Sequence, residues 1–366
     1  MKAFRVSDYE LTIRRRGESS RAIDLILTTG AILFSFALIG VALAIYGTNP
    51  IEAFILGFSY AFSIGGAAEM VVRAIPLLLV GLAVYVPLRA GLYNIAGGAG
   101  LYAGGIAAAA VSLAAPGLGR PLLGLAVIAG AVAGMFVLTI PGILRAYWDI
   151  NEILTTLLLT FIFINLNSYA VKLMRGEGGT LTGERLPEAA LSPTFFGTRI
   201  HAGIFLAIVA FAASYLLFKK TTFGYAVDMF GTNPTAAVRS GISSNRIIIG
   251  TFVIGGLFSG IAGAFEILGV HGRLLPDFSP GYGFTAIAIA IIARDNIFRV
   301  LGATFLFSFV YIWGARIELL LNVPSTVIAV FEATVILFFL LGEGLANYDV
   351  SLKNIGQTEP EEVPAA

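Results

Sequence analysis

Five stretches of this chain run long without one charged residue: 25–51, 90–119, 121–144, 202–218 and 247–265. A hydrocarbon layer takes about 20 apolar helical residues to cross, so stretches of this length specify membrane spans. With 57% hydrophobic and 12% charged residues and a mean hydropathy of +0.89, the chain carries more apolar surface than a soluble fold can bury. Irregular backbone is not tolerated against lipid, so the expected class is an all-α integral membrane protein.

The hydropathy pattern predicts about ten transmembrane helices, at 22–46, 52–88, 94–113, 121–143, 150–172, 199–218, 246–270, 281–294, 300–317 and 325–342. Segment 52–88 is too long for one straight crossing and holds Gly65, Gly66, Glu69, Arg73 and Pro76 in its middle, which predicts a broken second helix. Orientation follows from the basic residues. Arg14, Arg15, Arg16 and Arg21 precede the first span, and Lys219, Lys220, Arg239 and Arg246 flank a later loop. Cytoplasmic loops carry the excess of Lys and Arg, so both groups are placed inside, with Arg89, Arg145, Arg294 and Arg299 on the same side. The expected division is a cytoplasmic N-terminal segment 1–21, a transmembrane domain 22–348 and a disordered cytoplasmic tail 349–366. Within the domain, 173–198 reads as an external loop and 219–246 as a cytoplasmic one.

Catalytic chemistry has little to work with. The chain has no cysteine, two histidines (His201 and His271), no G-x-x-x-x-G-K-[ST] phosphate loop and no H-E-x-x-H motif. No metal site, no cofactor and no enzyme activity is expected, and both histidines are read as interfacial. A formal net charge of +1 gives no reason to expect a nucleic-acid partner. The 43 glycines include G-x-x-x-G spacings at Gly100/Gly104, Gly130/Gly134 and Gly256/Gly260, which let helix backbones approach closely. Among the charges inside spans, Glu69 and Arg73 are four apart and are expected to pair locally. Glu266 and Glu332 fall near helix ends and are expected to snorkel.

The loop KKTTFGYAVDMFGTNPTAAVRSGISSNR, 219–246, is the most distinctive element outside the spans. Asn233 suits a helix cap, Pro234 the first turn and Gly241 the end, so a short amphipathic helix is expected to lie across the cytoplasmic face as a docking knob.

Here the chain resembles the permeases of ATP-binding cassette importers for simple sugars and nucleosides, whose relatives include branched-chain amino-acid permeases. Thr221, Gly224, Gly231, Asn233, Ala236, Ala237, Gly241 and Ile242 follow that family's pattern, and GGLFSGIAGAFEILG continues it. LRAGLYNIAGGAG, INEILTTLLLTFI and GYGFTAIAIAIIARDN look similar too. One departure stands out. Nucleoside-type members read Asn-Ile-Gly-Ala-Glu-Gly-Gln where this chain has Asn94-Ile-Ala-Gly-Gly-Ala-Gly100. The resemblance implies a type II permease fold, like that of the vitamin B12 importer. It also implies two ATP-binding cassette subunits, a second permease, identical or paralogous, and an extracytoplasmic solute-binding protein. It makes 225–241 the coupling helix, shaped by Gly224, Gly231, Asn233, Ala236, Ala237 and Gly241. For the passage, Tyr93, Asn94, Asn151 and Asn167 are groups able to hydrogen-bond or stack on a neutral hydroxylated solute; Asn94 and Asn151 also suit helix caps. The rival reading is an ion-coupled carrier of a small neutral solute, which would call for an acid near the membrane midplane.

Overall fold

The computed structural model describes residues 2–6, 9–15, 21–175, 181–293, 296–346 and 348–354, and Arg294 lies outside them. These residues fall into two units, Phe54–Leu320, and Met1–Ala53 with Leu321–Ala366. In chain order, strands β1 (Lys2–Val6) and β2 (Tyr9–Arg15) precede helices α1 (Arg21–Ile45), α2 (Pro50–Ala61) and α3 (Ile64–Arg89). Helices α4 (Gly97–Ala114), α5 (Pro121–Trp148), α6 (Glu152–Leu173), α7 (Gly203–Lys220), α8 (Thr222–Thr232) and α9 (Pro234–Arg239) follow. Then come α10 (Ser244–Phe265), which continues as a π-helical turn over Glu266–His271, α11 (Tyr282–Ile292), α12 (Phe298–Leu321), α13 (Ser325–Ala346) and β3 (Tyr348–Asn354).

Among the described residues seven helices are long and apolar enough to cross a membrane: α3, α4, α5, α6, α7, α10 with its π turn, and α12. Shorter apolar helical stretches lie in α1 (Leu33–Ile45), α2, α11 and α13 (Ala329–Phe338). The expected break within 52–88 is present at Phe62–Ser63, just ahead of Gly65 and Gly66, while Glu69, Arg73, Pro76 and Pro87 sit inside a continuous α3. Glycine decides this. At the reversal a Cβ on Gly66 would stand 1.9 Å from the Tyr60 carbonyl, and the Ser63 hydroxyl caps α3 by accepting from Gly66 N at 3.1 Å. A proline inside a span costs the hydrogen bond it cannot donate and crowds the carbonyl one turn earlier, both of which a well-packed helix tolerates.

The larger unit is built around α10, which packs against α3, α4 and α5 and is buried along most of its length. Its glycines replace side-chain packing with backbone contact. A Cβ on Gly104 would come within 2.2 Å of the Gly260 carbonyl, and one on Gly134 within 2.3 Å of the Gly256 carbonyl. The three G-x-x-x-G pairs read from the sequence therefore meet in a single crossing of α4, α5 and α10.

In the other unit α1 and α13 pack through Phe34 on Phe338, 4.8 Å between ring centroids, and Phe36 on Phe331 at 5.7 Å. A three-stranded antiparallel sheet in the order β1-β2-β3 sets Phe4 opposite Leu11 and Leu11 opposite Leu352. This sheet departs from an all-helical chain, and β3 occupies the start of the stretch expected to be a structureless tail; 355–366 lie outside the described residues. The signal was a period of two: Tyr9, Leu11 and Ile13 alternate with Glu10, Thr12 and Arg14, as Tyr348, Val350 and Leu352 do with polar neighbours.

Candidate functional site

The loop between α7 and α10 folds as two short helices. Thr221 ends α7 and caps α8: its hydroxyl donates to the Leu217 carbonyl at 2.6 Å and accepts from Gly224 N at 3.0 Å. A Cβ on Gly224 would stand 2.0 Å from that same carbonyl, so the reversal admits no side chain. Asn233 separates the helices and accepts from Ala236 N at 3.0 Å, with Pro234 in the first turn of α9, as its sequence suggests. Gly241, at φ +87°, closes the segment in the left-handed region.

Two contacts seat this pair of helices. Ala237 is buried with Ala90, Leu92, Val227, Phe230, Ile248 and Phe252, so α9 shares a core with the end of α3 and the start of α10. Gly231 lies against α3, where a Cβ would meet the Arg89 carbonyl at 2.0 Å. Arg89 then donates to Asp228 of α8 (Nε–Oδ1, 2.8 Å) and to the Tyr85 hydroxyl (3.2 Å), and its guanidinium lies 5.1 Å from the centre of the Phe218 ring. Gly224, Gly231 and Ala237 therefore face inward. The outward face is Pro234, Thr235, Val238 and Arg239, which with Tyr147 of α5 and Asp149 just beyond it line a groove of about 550 Å³. At its α5 side Arg145 reaches Glu152 at 3.2 Å. The sequence reading missed Asp228, Arg89 and Tyr147. Charges of opposite sign inside one short loop and at a helix end were the available signal.

The passage candidates are dispersed. Asn94 is buried, donating to the Ala83 carbonyl at 3.0 Å and accepting from Ala96 N at 2.9 Å. Asn151 caps α6 by accepting from Ile153 N and Leu154 N at 2.9 and 3.2 Å. Asn167 donates to the Leu275 and Pro276 carbonyls at 2.9 and 2.7 Å, which ties the loop after the π turn to α6. Tyr93 is 49% exposed. At the helical rise Asn151 and Asn167 stand about 24 Å apart along α6, so the structure does not gather the four residues into one pocket.

Charged residues toward the start of α3 find partners on other elements. Glu69 pairs with Arg199 at 3.0 Å and Arg73 donates to the Tyr282 hydroxyl at 2.7 Å, in place of the local pair expected from their spacing. Glu266 is buried at 1% exposure and does not snorkel. His271 Nε2 lies 3.4 Å from its carboxylate, without hydrogen-bond geometry. The helix places Glu266 against the core because α10 is enclosed here on several sides. Glu332 lies in α13, its side chain outside the described residues.

His201, just ahead of α7, is fully buried within the protein. Its Nδ1 accepts from Gly203 N at 3.2 Å and its ring stacks on Phe265, 5.7 Å between centroids. Burial, helped by Arg199 and opposed by Glu266, pushes its pKa from 6.5 down to about 4, so the ring is neutral at pH 7. The unfolded chain binds a proton below pH 6.5 and the folded one only near pH 4. Folded stability therefore falls across that window, by up to about 1.4 kcal/mol per pH unit. Melting of the detergent-solubilised protein at pH 7, 6 and 5 is expected to show this slope, and His201→Gln to flatten it; an unchanged slope in the variant would assign it to another group.

Residues 66–341 match the family model described as branched-chain amino acid transport system / permease component. The glucose ABC transporter permease protein TsgB13 of Haloferax volcanii is 37% identical over 335 residues, covering 88% of each chain. The nucleoside ABC transporter permease protein NupB of Lactococcus lactis is 30% identical over 325 residues, 84% of this chain and 88% of that one. The guanosine ABC transporter permease protein NupP of Bacillus subtilis is 29% identical over 277 residues, 74% and 79% of the two chains. No solved structure matches.

Proposed function

The chain belongs to the branched-chain amino acid transport system permease family, and from that premise we propose that it forms the passage for a simple sugar or a nucleoside. It is a multi-pass membrane protein and a transport subunit of an ATP-binding cassette importer, with ATP hydrolysis on a separate polypeptide. Membership implies ATP-binding and solute-binding partners. The observation that carries the solute reading is the 37% identity to a glucose permease over 88% of both chains; relatives named for nucleosides keep that class in play.

The finer reading is a type II permease in which the four shorter apolar stretches bring the crossings to about ten, with both termini cytoplasmic. Two ATP-binding subunits and a second permease complete the importer, and an extracytoplasmic protein delivers the solute. In this arrangement α8 and α9 form the coupling element. Gly224 sets it against the end of α7, Gly231 and Ala237 hold it on the ends of α3 and α10, Asn233, Ala236 and Gly241 shape α9, and the groove beside Val238 and Arg239 receives the ATPase. The inward side of Gly231 and Ala237 and the outward side of Val238 support this division of roles. Tyr93, Asn94, Asn151 and Asn167 enter as passage residues through the segments they position, since the three asparagines spend amide groups on backbone.

Purifying the tagged chain from its native membranes, identifying what accompanies it by mass spectrometry, and assaying ATP hydrolysis tests the reading. An ATP-binding cassette subunit is expected in the complex, released when Val238 and Arg239 are both changed to Glu. A chain that purifies alone and transports D-glucose or guanosine on an imposed ion gradient would instead be an ion-coupled carrier.

A further inference from the structure

We propose that the outward face of α6 lines the solute passage, with Asn165, set between the rings of Phe161 and Tyr169, contacting a ring-shaped solute that carries hydroxyl groups. This rests on the passage reading above and gives it residues that the sequence did not single out.

Helix α6 packs against α4 and α5 on one side, where Thr156, Thr160, Asn167, Ala170 and Val171 are buried. Thr160 donates to the Ile95 carbonyl at 3.0 Å, and Ile95 N donates to Thr156 at 3.2 Å. The opposite stripe, Leu154, Leu158, Phe161, Asn165 and Tyr169, recurs at three and four residues and is exposed throughout. Asn165 stands about 20 Å along the axis from Glu152 and about 12 Å from Leu173, within the span and not at its rim. Its amide makes one hydrogen bond, Nδ2 to the Phe161 carbonyl at 2.8 Å, which leaves its own carbonyl oxygen and second N–H for whatever covers the face.

Hydrocarbon can satisfy neither group, so an exposed amide inside a span marks water, solute or another protein surface. Helix α7 shows what a lipid face looks like in this chain. Its exposed residues within the span, among them Phe205, Ile208, Val209 and Leu216, are apolar. A partner helix in backbone contact is a poor occupant, because such contact in this chain is made at glycines, and the α6 stripe carries large side chains and no small residue. A solute fits. Phe161 and Tyr169, each more than half exposed, lie one turn to either side of the amide. Rings can stack on the apolar face of a sugar or on a nucleobase while the amide bonds its hydroxyls.

Because the chain has no cysteine, single replacements by cysteine report on each position. In the assembled importer, Asn165→Cys, Phe161→Cys and Tyr169→Cys are expected to react with a membrane-impermeant sulfonated thiol reagent at least about tenfold faster than Ile208→Cys, as a water-filled face requires. D-Glucose or guanosine, supplied through turnover, is expected to slow the reaction at Asn165→Cys. Asn165→Ala is expected to raise KM for uptake several-fold, with Asn165→Gln recovering part of it. Reaction no faster than at Ile208→Cys would overturn the proposal, as would ready disulfide formation between two copies of Asn165→Cys without labelling, or labelling that neither solute slows. If labelling and protection hold while no ATP-binding subunit accompanies the chain, the passage stands and the importer reading fails.

Discussion

Replacing Gly260 by valine is expected to remove the folded protein from the membrane, whereas the same change at Gly124 leaves its yield unaltered. A Cβ on Gly260 would stand 2.3 Å from the Gly130 carbonyl, and the Gly260 backbone lies within 3 Å of the Cβ positions of both Gly104 and Gly134. The neighbours of that Cβ, the Gly130 carbonyl and the Ala131 backbone, cannot rotate away, so α10 must part from α5 to admit a side chain. Overpacking that flexible side chains absorb costs about 1–3 kcal/mol. Parting a helix pair held by backbone contact exceeds that range and consumes much of a typical stability of about 5–15 kcal/mol. Gly260→Ala is expected to fall between the two. Gly124, on α5, has no heavy atom within 4 Å of its Cβ position and serves as the control. Size-exclusion profiles and yields in mild detergent decide the matter; a Gly260→Val protein as monodisperse as its parent would show that this crossing does not hold the unit together.

Gly231→Leu is expected to leave insertion intact while lowering uptake more than tenfold, the equivalent of about 1.4 kcal/mol or more in coupling. The glycine touches the Arg89 carbonyl at the end of α3, and any side chain there lifts α8 from that seat and strains the bond between Arg89 and Asp228. The membrane-embedded helices are untouched, so the loss separates ATP hydrolysis from transport. Hydrolysis by the purified complex, set against solute uptake in vesicles, measures the split. Equal uptake in variant and parent would mean that the seat of α8 plays no part in coupling.

What could be read from the sequence was local. Asn233-Pro234 and Gly241 announced α9 because capping and positive φ are decided within a few residues. The glycine pairs were visible because G-x-x-x-G is a one-helix pattern, although nothing in it said that the three pairs would meet. Partners distant in sequence were not visible. Arg89 and Asp228 lie 139 residues apart, and Glu69 is 130 from Arg199, so the four-residue spacing of Glu69 and Arg73 suggested a pair that the fold does not make. The break before α3 was legible as a segment too long for one crossing with Gly65, Gly66 and Pro76 in its middle, but only the fold shows that it falls at 62–63 beside Gly66 and that Pro76 stays inside the helix. A local cap by Asn94 was legible, but its bond to Ala83 and those of Asn167 to Leu275 and Pro276 are shown only by the fold.

The crossing of α4, α5 and α10 also divides the molecule mechanically. Helices in backbone contact cannot slide past one another without raising a carbonyl over a glycine, so these three behave as one stiff body. Helix α10 starts at Ser244, just beyond α9, and runs to the end of the π turn at His271, 28 residues or about 42 Å. Side-chain interfaces such as those of α6 and α7, which hold no such glycine lock, are left to yield. In the coupling role proposed for α9, a push on it would travel along α10 as a tilt of the whole stiff body, in the manner of a lever, and the first softer backbone it would meet is the π turn carrying Glu266 and His271.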